Sequence, residues 1–333
     1  MSAIDKELSK LISDYKGLSN YIDYFAGTSI GAVGVVHAAV CDGDGNTYNS
    51  FDDGVNVFLE NAGNVLSQKP SNYLVSALSL LPSWGITGPY YSNEMIKNIL
   101  SGIVGDKTVG DNILKGKFLI TSYCLNHCEP TVWTNIGTEE QRSKINYCVK
   151  DIDQIKLQDI VTASAAVPVL LPAHEIEYQR DDQIKILHEI DGGFVSNTPV
   201  LDLMSCISGM EGIDLSDLFV ISIGAGEVNT DLSNLKNGGV LSYSTNFASV
   251  MTSHINVVQK YNEEIAKQLI EGQGGKFSSI NISMSVTDFA NAINDSLDSM
   301  QYYKSMADEF VEQNPELIQN IAYELACWIN SNS

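Results

Sequence analysis

The chain has 333 residues, of which 44% are hydrophobic and 18% are charged, a composition that excludes a disordered protein and allows one large or two ordinary domains. Its 19 Lys and Arg residues face 41 Asp and Glu residues, and the net charge is −22. This balance argues against a nucleic acid partner, because phosphate contacts need basic patches, and it disfavours adsorption to an anionic bilayer. The same acidity also fits a protein that is simply kept soluble by its charge.

The chain opens on a predicted helix, Ser2–Tyr15. The pattern S-x-x-D formed by Ser2 and Asp5 favours an N-terminal cap. The apolar residues that follow fall on one face at helical spacing, namely Ile4, Leu8, Leu11 and Ile12.

The next two elements enclose a serine between glycines. Tyr21–Ala26 is partly aromatic and β-branched, which predicts a strand. Ile30–Val40 is apolar almost throughout, which favours a buried helix. The connection, residues 27–31 (GTSIG), therefore has the strand–turn–helix context of a nucleophile elbow.

In such an elbow Ser29 is the nucleophile, and the N–H of Ile30 points at the developing oxyanion. Gly27 and Gly31 flank the serine, and we expect the small residues Gly31, Ala32 and Gly34 to let the helix lie close against the sheet. A glycine-rich turn with a capping serine is the alternative interpretation.

Residues 72–91 (NYLVSALSLLPSWGITGPYY) are rich in Leu and aromatic residues and nearly free of charge. One interpretation is a mobile apolar lid or a membrane-touching loop, with Trp84 suited to a bilayer interface. The other interpretation is an ordinary buried helix followed by a turn.

The later elements continue the alternation of strands and helices, which predicts an α/β fold of three layers (α/β/α) with a mainly parallel central sheet. Residues 1–244 are expected to form the catalytic domain and residues 245–333 a mostly helical region packed on it. The predicted strands are Phe118–Leu125, Lys185–Ile190, Leu218–Ile223 and Ser279–Ser283, and the predicted helices are Asn93–Leu100, Leu157–Ala166, Asn246–Gln268 and Ser305–Ile329.

The strand Lys185–Ile190 leads directly to Asp191. Gly192 and Gly193 follow it and can adopt backbone angles that other residues avoid, so they can turn the chain sharply after the carboxylate. Functional residues of parallel sheets collect beyond the carboxyl ends of strands, where we expect Asp191 to meet Ser29. An Asp-Gly turn without a catalytic role is the alternative.

Six segments together resemble the patatin-like phospholipase family. The two principal ones are residues 27–32 (GTSIGA) and 191–199 (DGGFVSNTP), and 163–168 (ASAAVP) is similar to the family's Ser-Ala-Ala-x-Pro stretch. The resemblance runs from about residue 21 to 226, and its remaining segments are 91–93 with 105–108, 118–123 and 220–226.

The resemblance implies a Ser–Asp dyad that acts on acyl esters of lipids without a metal or cofactor. Ser29 would attack the carbonyl and form an acyl-enzyme, and Asp191 would take the proton and return it to the leaving alcohol. Gly192 and Gly193 would support the aspartate segment. Phospholipid or another acyl-ester lipid is the implied substrate, and a protein activator or an oligomeric partner stays open.

One departure from the family concerns the oxyanion donors. Family members carry a strand and a glycine-rich loop with a basic residue upstream of the serine, whereas this chain has only Gly17 between Met1 and Ala26. We therefore expect an unpaired edge beside the serine strand and weaker oxyanion stabilisation. A truncated gene start, a trimmed product and a catalytically impaired module that binds lipid or a protein partner all fit this departure.

A Ser-His-Asp triad is the rival hydrolase mechanism. His254 is the only histidine after Asp191, which is the chain order that an α/β-hydrolase requires. The surrounding sequence is helical in pattern rather than typical of a loop, so we prefer the dyad.

The remaining signals favour a cytoplasmic protein with optional peripheral membrane contact. Neither a signal peptide nor a stretch near the ~20 apolar residues of a membrane-spanning helix is visible. The six cysteines are widely spread, which suits reduced thiols. Cys124, His127 and Cys128 lie close in sequence, but no second pair follows at zinc spacing.

Overall fold

The computed structural model describes residues 1–41, 47, 50–54, 56, 92–168, 170–180, 182–228, 231–239, 242, 246–285 and 297–332. The apolar segment 72–91, interpreted above as a lid or a buried helix, lies outside these residues.

Helices and strands alternate through the first two thirds of the chain, and helices dominate the last third. The helices are α1 (Ser2–Leu8), α2 (Ile30–Ala39), α3 (Glu94–Ser101), α4 (Glu139–Arg142), α5 (Leu157–Ser164), α6 (Val200–Cys206), α7 (Phe247–Gly272), α8 (Leu297–Gln313) and α9 (Pro315–Asn332). The strands are β1 (Tyr24–Thr28), β2 (Lys117–Cys124), β3 (Glu129–Thr134), β4 (His174–Arg180), β5 (Gln183–Asp191), β6 (Phe219–Ile223), β7 (Glu227–Val228), β8 (Lys276–Ile280) and β9 (Ser283–Met284).

The main sheet has the order β1-β2-β5-β4, with β3 also paired to β2. The predicted α/β architecture is confirmed, but the sheet is mixed, since only β1 and β2 run parallel within it. The reason lies in the connections. Four residues join β2 to β3, and two residues join β4 to β5. Links this short permit only antiparallel pairing.

Helices cover both faces of this sheet, which gives three layers. Phe118 and Ile120 of β2 pack in one apolar cluster with side chains of α2 and α5. Leu119, which lies between them and points to the opposite face, packs with Cys206 and Ile207 at the end of α6.

Two smaller parallel pairs, β6 with β8 and β7 with β9, cross the predicted division at residue 244. The region after residue 244 therefore contributes strands as well as helices. Its long helix α7 packs on α6 through a cluster in which Ala266 and Ile270 meet Val200 and Met204.

The first helix is shorter than the predicted Ser2–Tyr15 and ends at Leu8. Asp5 does not cap it. Instead, its carboxylate accepts hydrogen bonds from the Tyr15 hydroxyl and, at 2.8 Å, from the backbone N–H of Leu18. These bonds fold the chain back, and Asp14 takes a left-handed φ of 56° in the turn. The helical spacing of the apolar residues 11 and 12 therefore wrongly predicted that the helix continues past Leu8.

The predicted helix Ser305–Ile329 is wrong in continuity, because it is two helices that meet at Asn314. Pro315 begins the second helix, where its missing N–H costs nothing, and it disfavours helical angles at the residue before it. This last helix, α9, packs on α1 through Ile4 and Leu8. Among the described residues, no helix has the length and apolar character needed to span a membrane.

Candidate active site

Strand β2 brings Ser29 and Asp191 together. Thr28, at the end of β1, pairs with Thr121, and Asp191, at the end of β5, pairs with the next residue, Ser122. Since β3 occupies the other edge of β2 throughout this stretch, β1 and β5 share one edge and run toward each other along it. Their carboxyl ends therefore meet. The two strand ends meet as expected, although β1 and β5 run in opposite directions along one edge of β2 and are not neighbouring parallel strands.

Ser29 lies in a strained turn between β1 and α2. Its backbone has φ 57° and ψ −124°, a conformation that L-residues seldom adopt. Such strain at a serine between a strand and a helix is typical of a nucleophile elbow. The turn is also tight, because a Cβ atom on Gly27 would lie 2.4 Å from the carbonyl oxygen of Gly31.

The close-packing role predicted for three small residues of α2 holds for Ala32, which is completely buried in the cluster shared with the sheet, but is wrong for Gly31 and Gly34. An added Cβ atom at either position would meet nothing within 4 Å. Both residues are exposed on α2, so Gly27 is the glycine whose missing side chain lets strand and helix approach.

Asp191 is buried, with 5% of its surface exposed. Its Oδ1 atom accepts a 2.7 Å hydrogen bond from the N–H of Gly193, and its backbone N–H donates to the carbonyl of Ala166 at 3.0 Å. Burial raises the pKa of the carboxyl to about 6, while the Ser29 hydroxyl and the Gly193 N–H act in the opposite direction. A carboxylate with this pKa is ionised at neutral pH and still readily accepts a proton.

The Ser29 hydroxyl lowers the pKa of the Asp191 carboxyl, yet Oδ2 of Asp191 has no hydrogen-bond partner among the described residues. An unpartnered buried carboxylate oxygen is costly, which makes it a strong acceptor for an approaching proton. Catalytic hydrogen bonds are often long or poorly aligned before substrate binds, and they tighten in the complex.

Two threonines hold the aspartate segment against β1 and β2. The hydroxyl groups of Thr28 and Thr121 lie 2.7 Å and 3.2 Å from the carbonyl oxygen of Ser196, and both threonines are buried. Gly192 lies against β2, since a Cβ atom on Gly192 would be 2.3 Å from the carbonyl oxygen of Thr121. The chain after Asp191 therefore has little freedom to move away from Ser29.

Backbone donors are available beside the serine. The N–H of Ser29 donates to the hydroxyl of Ser164 at 2.9 Å, and Ala32 donates to the carbonyl of Ser29 at 3.0 Å. The N–H groups of Ile30 and Gly31 lie in the first turn of α2, where backbone N–H groups have no acceptor within the helix. They can stabilise negative charge that develops next to Ser29.

The comparison with protein families decides the identification. A family model described as "Patatin-like phospholipase" matches residues 5–204, which is more than half of the chain and includes both Ser29 and Asp191. The chain belongs to the patatin-like phospholipase family.

Curated plant proteins are similar to this patatin-like chain at low identity. Patatin-like protein 1 of Arabidopsis thaliana is 23% identical over 245 residues, which cover 69% of this chain and 55% of the plant protein. Patatin-like protein 2 of Oryza sativa subsp. indica is 25% identical over 209 residues, or 62% of this chain and 48% of its own length. The chain therefore spans about half the length of the curated relatives it matches.

Three histidines of this patatin-like chain have surroundings that bear on the rival triad. His254 is exposed in the middle of α7, as its helical surroundings predicted. His174 is hydrogen-bonded to Asp159 at 2.9 Å, and His188 contacts Glu175 at 3.2 Å. Within the described ranges, His, Cys, Asp and Glu side chains form no group of three that could hold a metal ion.

Sequence reasoning missed a polar network beside Asp191. Glu189, two residues earlier on the same face of β5, is fully buried and accepts hydrogen bonds from Ser122 at 2.7 Å and Thr131 at 3.0 Å. Trp133 can only donate, and it donates to the Ser122 hydroxyl at 2.7 Å, so the single proton of Ser122 is left for Glu189. The available signal was the alternation in β5, which puts Glu189 on the same face as Leu187 and Asp191.

Proposed function

We propose that this chain hydrolyses carboxylic esters of lipids through an acyl-enzyme, with Ser29 as nucleophile and Asp191 as general base and acid. Membership of the patatin-like phospholipase family supports a lipid acyl hydrolase in general terms. The observation that carries the specific assignment is the register on β2, where β1 and β5 end at neighbouring residues, so that the buried carboxyl of Asp191 lies beside Ser29.

In the first half of the reaction, the Ser29 Oγ atom attacks the ester carbonyl carbon while Asp191 accepts the hydroxyl proton. A free serine hydroxyl is a weak nucleophile at neutral pH, so an adjacent base is required. The N–H groups of Ile30 and Gly31 stabilise the oxyanion, and collapse of the tetrahedral intermediate releases the alcohol, which takes the proton from Asp191. One such donor is worth about 10²–10³ in rate.

In the second half, water attacks the acyl-enzyme, and Asp191 again acts first as a base and then as an acid. The carboxylate removes a proton from the water as the water oxygen bonds to the acyl carbon. It then returns the proton to Ser29 Oγ as the fatty acid leaves. No group other than the dyad and the backbone donors is needed for this cycle.

Apolar side chains around the dyad suit an acyl chain. Ile30 and Phe194 are 48% and 43% exposed and follow Ser29 and Asp191 in the chain. Val167 is also exposed and comes directly after Ala166, whose carbonyl accepts the N–H of Asp191. Exposed apolar groups collected at one place mark a binding surface for apolar ligands.

Hydrolysis of a p-nitrophenyl acyl ester and of a short-chain phosphatidylcholine by the wild type and by Ser29→Ala tests this proposal. We expect Ser29→Ala to reduce turnover of both esters at least 10³-fold. Without the nucleophile, only substrate binding and the backbone donors accelerate the reaction, by about 10³ over the rate in water. Ser143→Ala, at an exposed serine, should behave as the wild type. Turnover that is absent in the wild type, or equal in Ser29→Ala, would reject the proposal and favour a non-catalytic lipid- or protein-binding module.

A further inference from the structure

The long helix α7 reaches the aspartate segment through one buried hydrogen bond. Asn197, six residues after Asp191, donates from Nδ2 to Oε1 of Gln259 at 2.9 Å. Gln259 is only 5% exposed, although glutamine is usually found at the surface. This residue lies well beyond residues 5–204, the range that the family model matches.

Asn197 also lies against the glycine that holds the Asp191 carboxylate. A Cβ atom on Gly193 would lie 3.3 Å from Oδ1 of Asn197 and 2.9 Å from Oδ1 of Asp191, so both oxygens lie against the same glycine. The N–H of that glycine is the donor that holds Asp191 Oδ1. Whatever fixes the Asn197 side chain therefore helps to fix Gly193 and, through it, the carboxylate.

Helix α7 is itself firmly held where it presents Gln259. Glu263, one turn further along the helix, accepts hydrogen bonds from Ser222 of β6 and Ser279 of β8. Ala266 and Ile270 continue the same helix face and are completely buried against α6. Gln259 therefore lies on a face of α7 that is fixed by contacts with β6, β8 and α6.

We infer that Gln259 is a positioning residue for Asp191, acting through Asn197 and Gly193. Its hydrogen bond fixes the Asn197 amide, which limits the movement of residues 192–197 and keeps the Asp191 carboxylate oriented toward Ser29. The inference rests on the proposed function, since it assigns Gln259 a part in the same reaction. Gln259 touches neither substrate nor reacting atoms.

The test is Gln259→Met in the full chain, a change that nearly preserves side-chain volume but removes the acceptor. We expect kcat for ester hydrolysis to fall by about 10- to 100-fold while KM changes little, because small displacements of a catalytic group have effects of this size. The matched control is Gln268→Met on the same helix, where the exposed glutamine donates to Glu264 at 2.8 Å and should be replaced without loss. Equal losses in the two variants would overturn the inference.

A double variant separates positioning from general packing. If Gln259 acts through Asn197, then Gln259→Met should cause no further loss of kcat in an Asn197→Leu background. Additive losses would overturn the inference. Asn197→Leu breaks the same hydrogen bond from the other side, so it decides the question if Gln259→Met does not fold.

Amide hydrogen exchange of residues 192–197 keeps this inference distinct from the proposed function. We expect these amides to exchange at least about 10-fold faster in Gln259→Met, with unchanged exchange in the remainder of the main sheet. If the wild type shows no Ser29-dependent turnover, the proposed function fails while the exchange measurement still tests the hydrogen bond. Unchanged exchange at residues 192–197 would reject the positioning role whatever the activity.

Discussion

Asp191 is held in an environment that suits a proton acceptor better than a structural carboxylate. A structural aspartate in a turn normally satisfies both oxygens, whereas here Oδ1 has the N–H of Gly193 and Oδ2 lacks an aligned partner among the described residues. Burial raises the pKa to about 6, which places ionisation close to the working range of a general base. The proposed dyad therefore needs no histidine as a base at neutral pH.

The pH dependence of hydrolysis follows from this pKa. Because the base must be ionised, we expect kcat/KM to rise about tenfold per pH unit below pH 6 and to level off above it. The measurement is kcat/KM for a p-nitrophenyl ester between about pH 4.5 and pH 8. A profile without an inflection near 6, or one that His254→Ala shifts, would contradict the assignment of Asp191 as the base.

The same pKa makes a prediction about stability. The ordinary pKa of an aspartate is 3.8, and the folded value is about 6, so the folded state binds this proton more tightly than the unfolded state does. The resulting stabilisation is present at low pH and is lost as the pH rises through about 6. At pH 8 the buried charge lowers the free energy of unfolding by about 3 kcal/mol.

Asp191→Asn should therefore be more stable than the wild type at about pH 8 and similar to it at about pH 4, while losing activity. An asparagine oxygen can still accept from Gly193, so the turn is retained. Urea unfolding at both pH values measures the difference, with Asp217→Asn at an exposed carboxylate as control. A variant that is less stable than the wild type at pH 8 would contradict this account of the site.

Ser29 and Asp191 could be proposed as site residues from sequence because each lies in a short segment whose chemistry is local. Their supporting residues could not. Thr28 and Thr121 hold the carbonyl of Ser196 only after a strand pair has formed, and Gln259 meets Asn197 across 62 positions of sequence. Nothing in the neighbourhood of these residues reveals such partners.

At the scale of elements, the elbow depends on the close approach of β1 and α2. Gly27→Ala would place a methyl group 2.4 Å from the carbonyl oxygen of Gly31 and 2.9 Å from Val35. Overpacking of this kind costs about 1–3 kcal/mol, and the shift should also misplace Ser29. We expect both a lower midpoint of thermal unfolding and a lower kcat.

Gly31→Ala is the matched control, because the added methyl group meets nothing within 4 Å. Alanine is a better helix former than glycine by about 1 kcal/mol, so this variant should unfold at the same temperature or a higher one. A Gly31→Ala variant as unstable as Gly27→Ala would contradict the described packing of the elbow.

Element types were more predictable than element pairing. The segments with clear periodicity, such as those of β2 and α5, were found with ends within two residues of the structure. Strand β4 was missed although residues 174–180 alternate between buried and exposed, because its charged residues obscured the apolar ones. The antiparallel hairpins then changed the sheet from mainly parallel to mixed.

At the scale of the whole molecule, the two ends of the chain and the catalytic core are interdependent. Helix α1 packs on α9 through Ile4 and Leu8, and α7 packs on α6 directly after the aspartate segment. Pairing of β6 with β8 joins the sequence on both sides of residue 244. We propose that residues 246–332 complete the domain that carries the dyad, and do not form a separate module.

Sequence predicted the class of the whole molecule but not this interdependence. Composition and alternating elements were sufficient for an α/β fold. A division at residue 244 rested on a change from strands to helices. The predicted strand Ser279–Ser283 overlaps β8 and β9, but the sequence did not reveal that they pair with β6 and β7 on the other side of the division. Contacts between distant elements become visible only in three dimensions.

The central claim is that Asp191 activates Ser29, and covalent trapping by a fluorophosphonate tests it most directly. This reagent phosphonylates activated serines irrespective of the natural substrate, and peptide mass spectrometry locates the adduct. We predict a single adduct on Ser29 in the wild type, formed about 10²–10⁴-fold more slowly in Asp191→Asn. Absence of an adduct on Ser29, or an equal rate of labelling in the two proteins, would contradict the account.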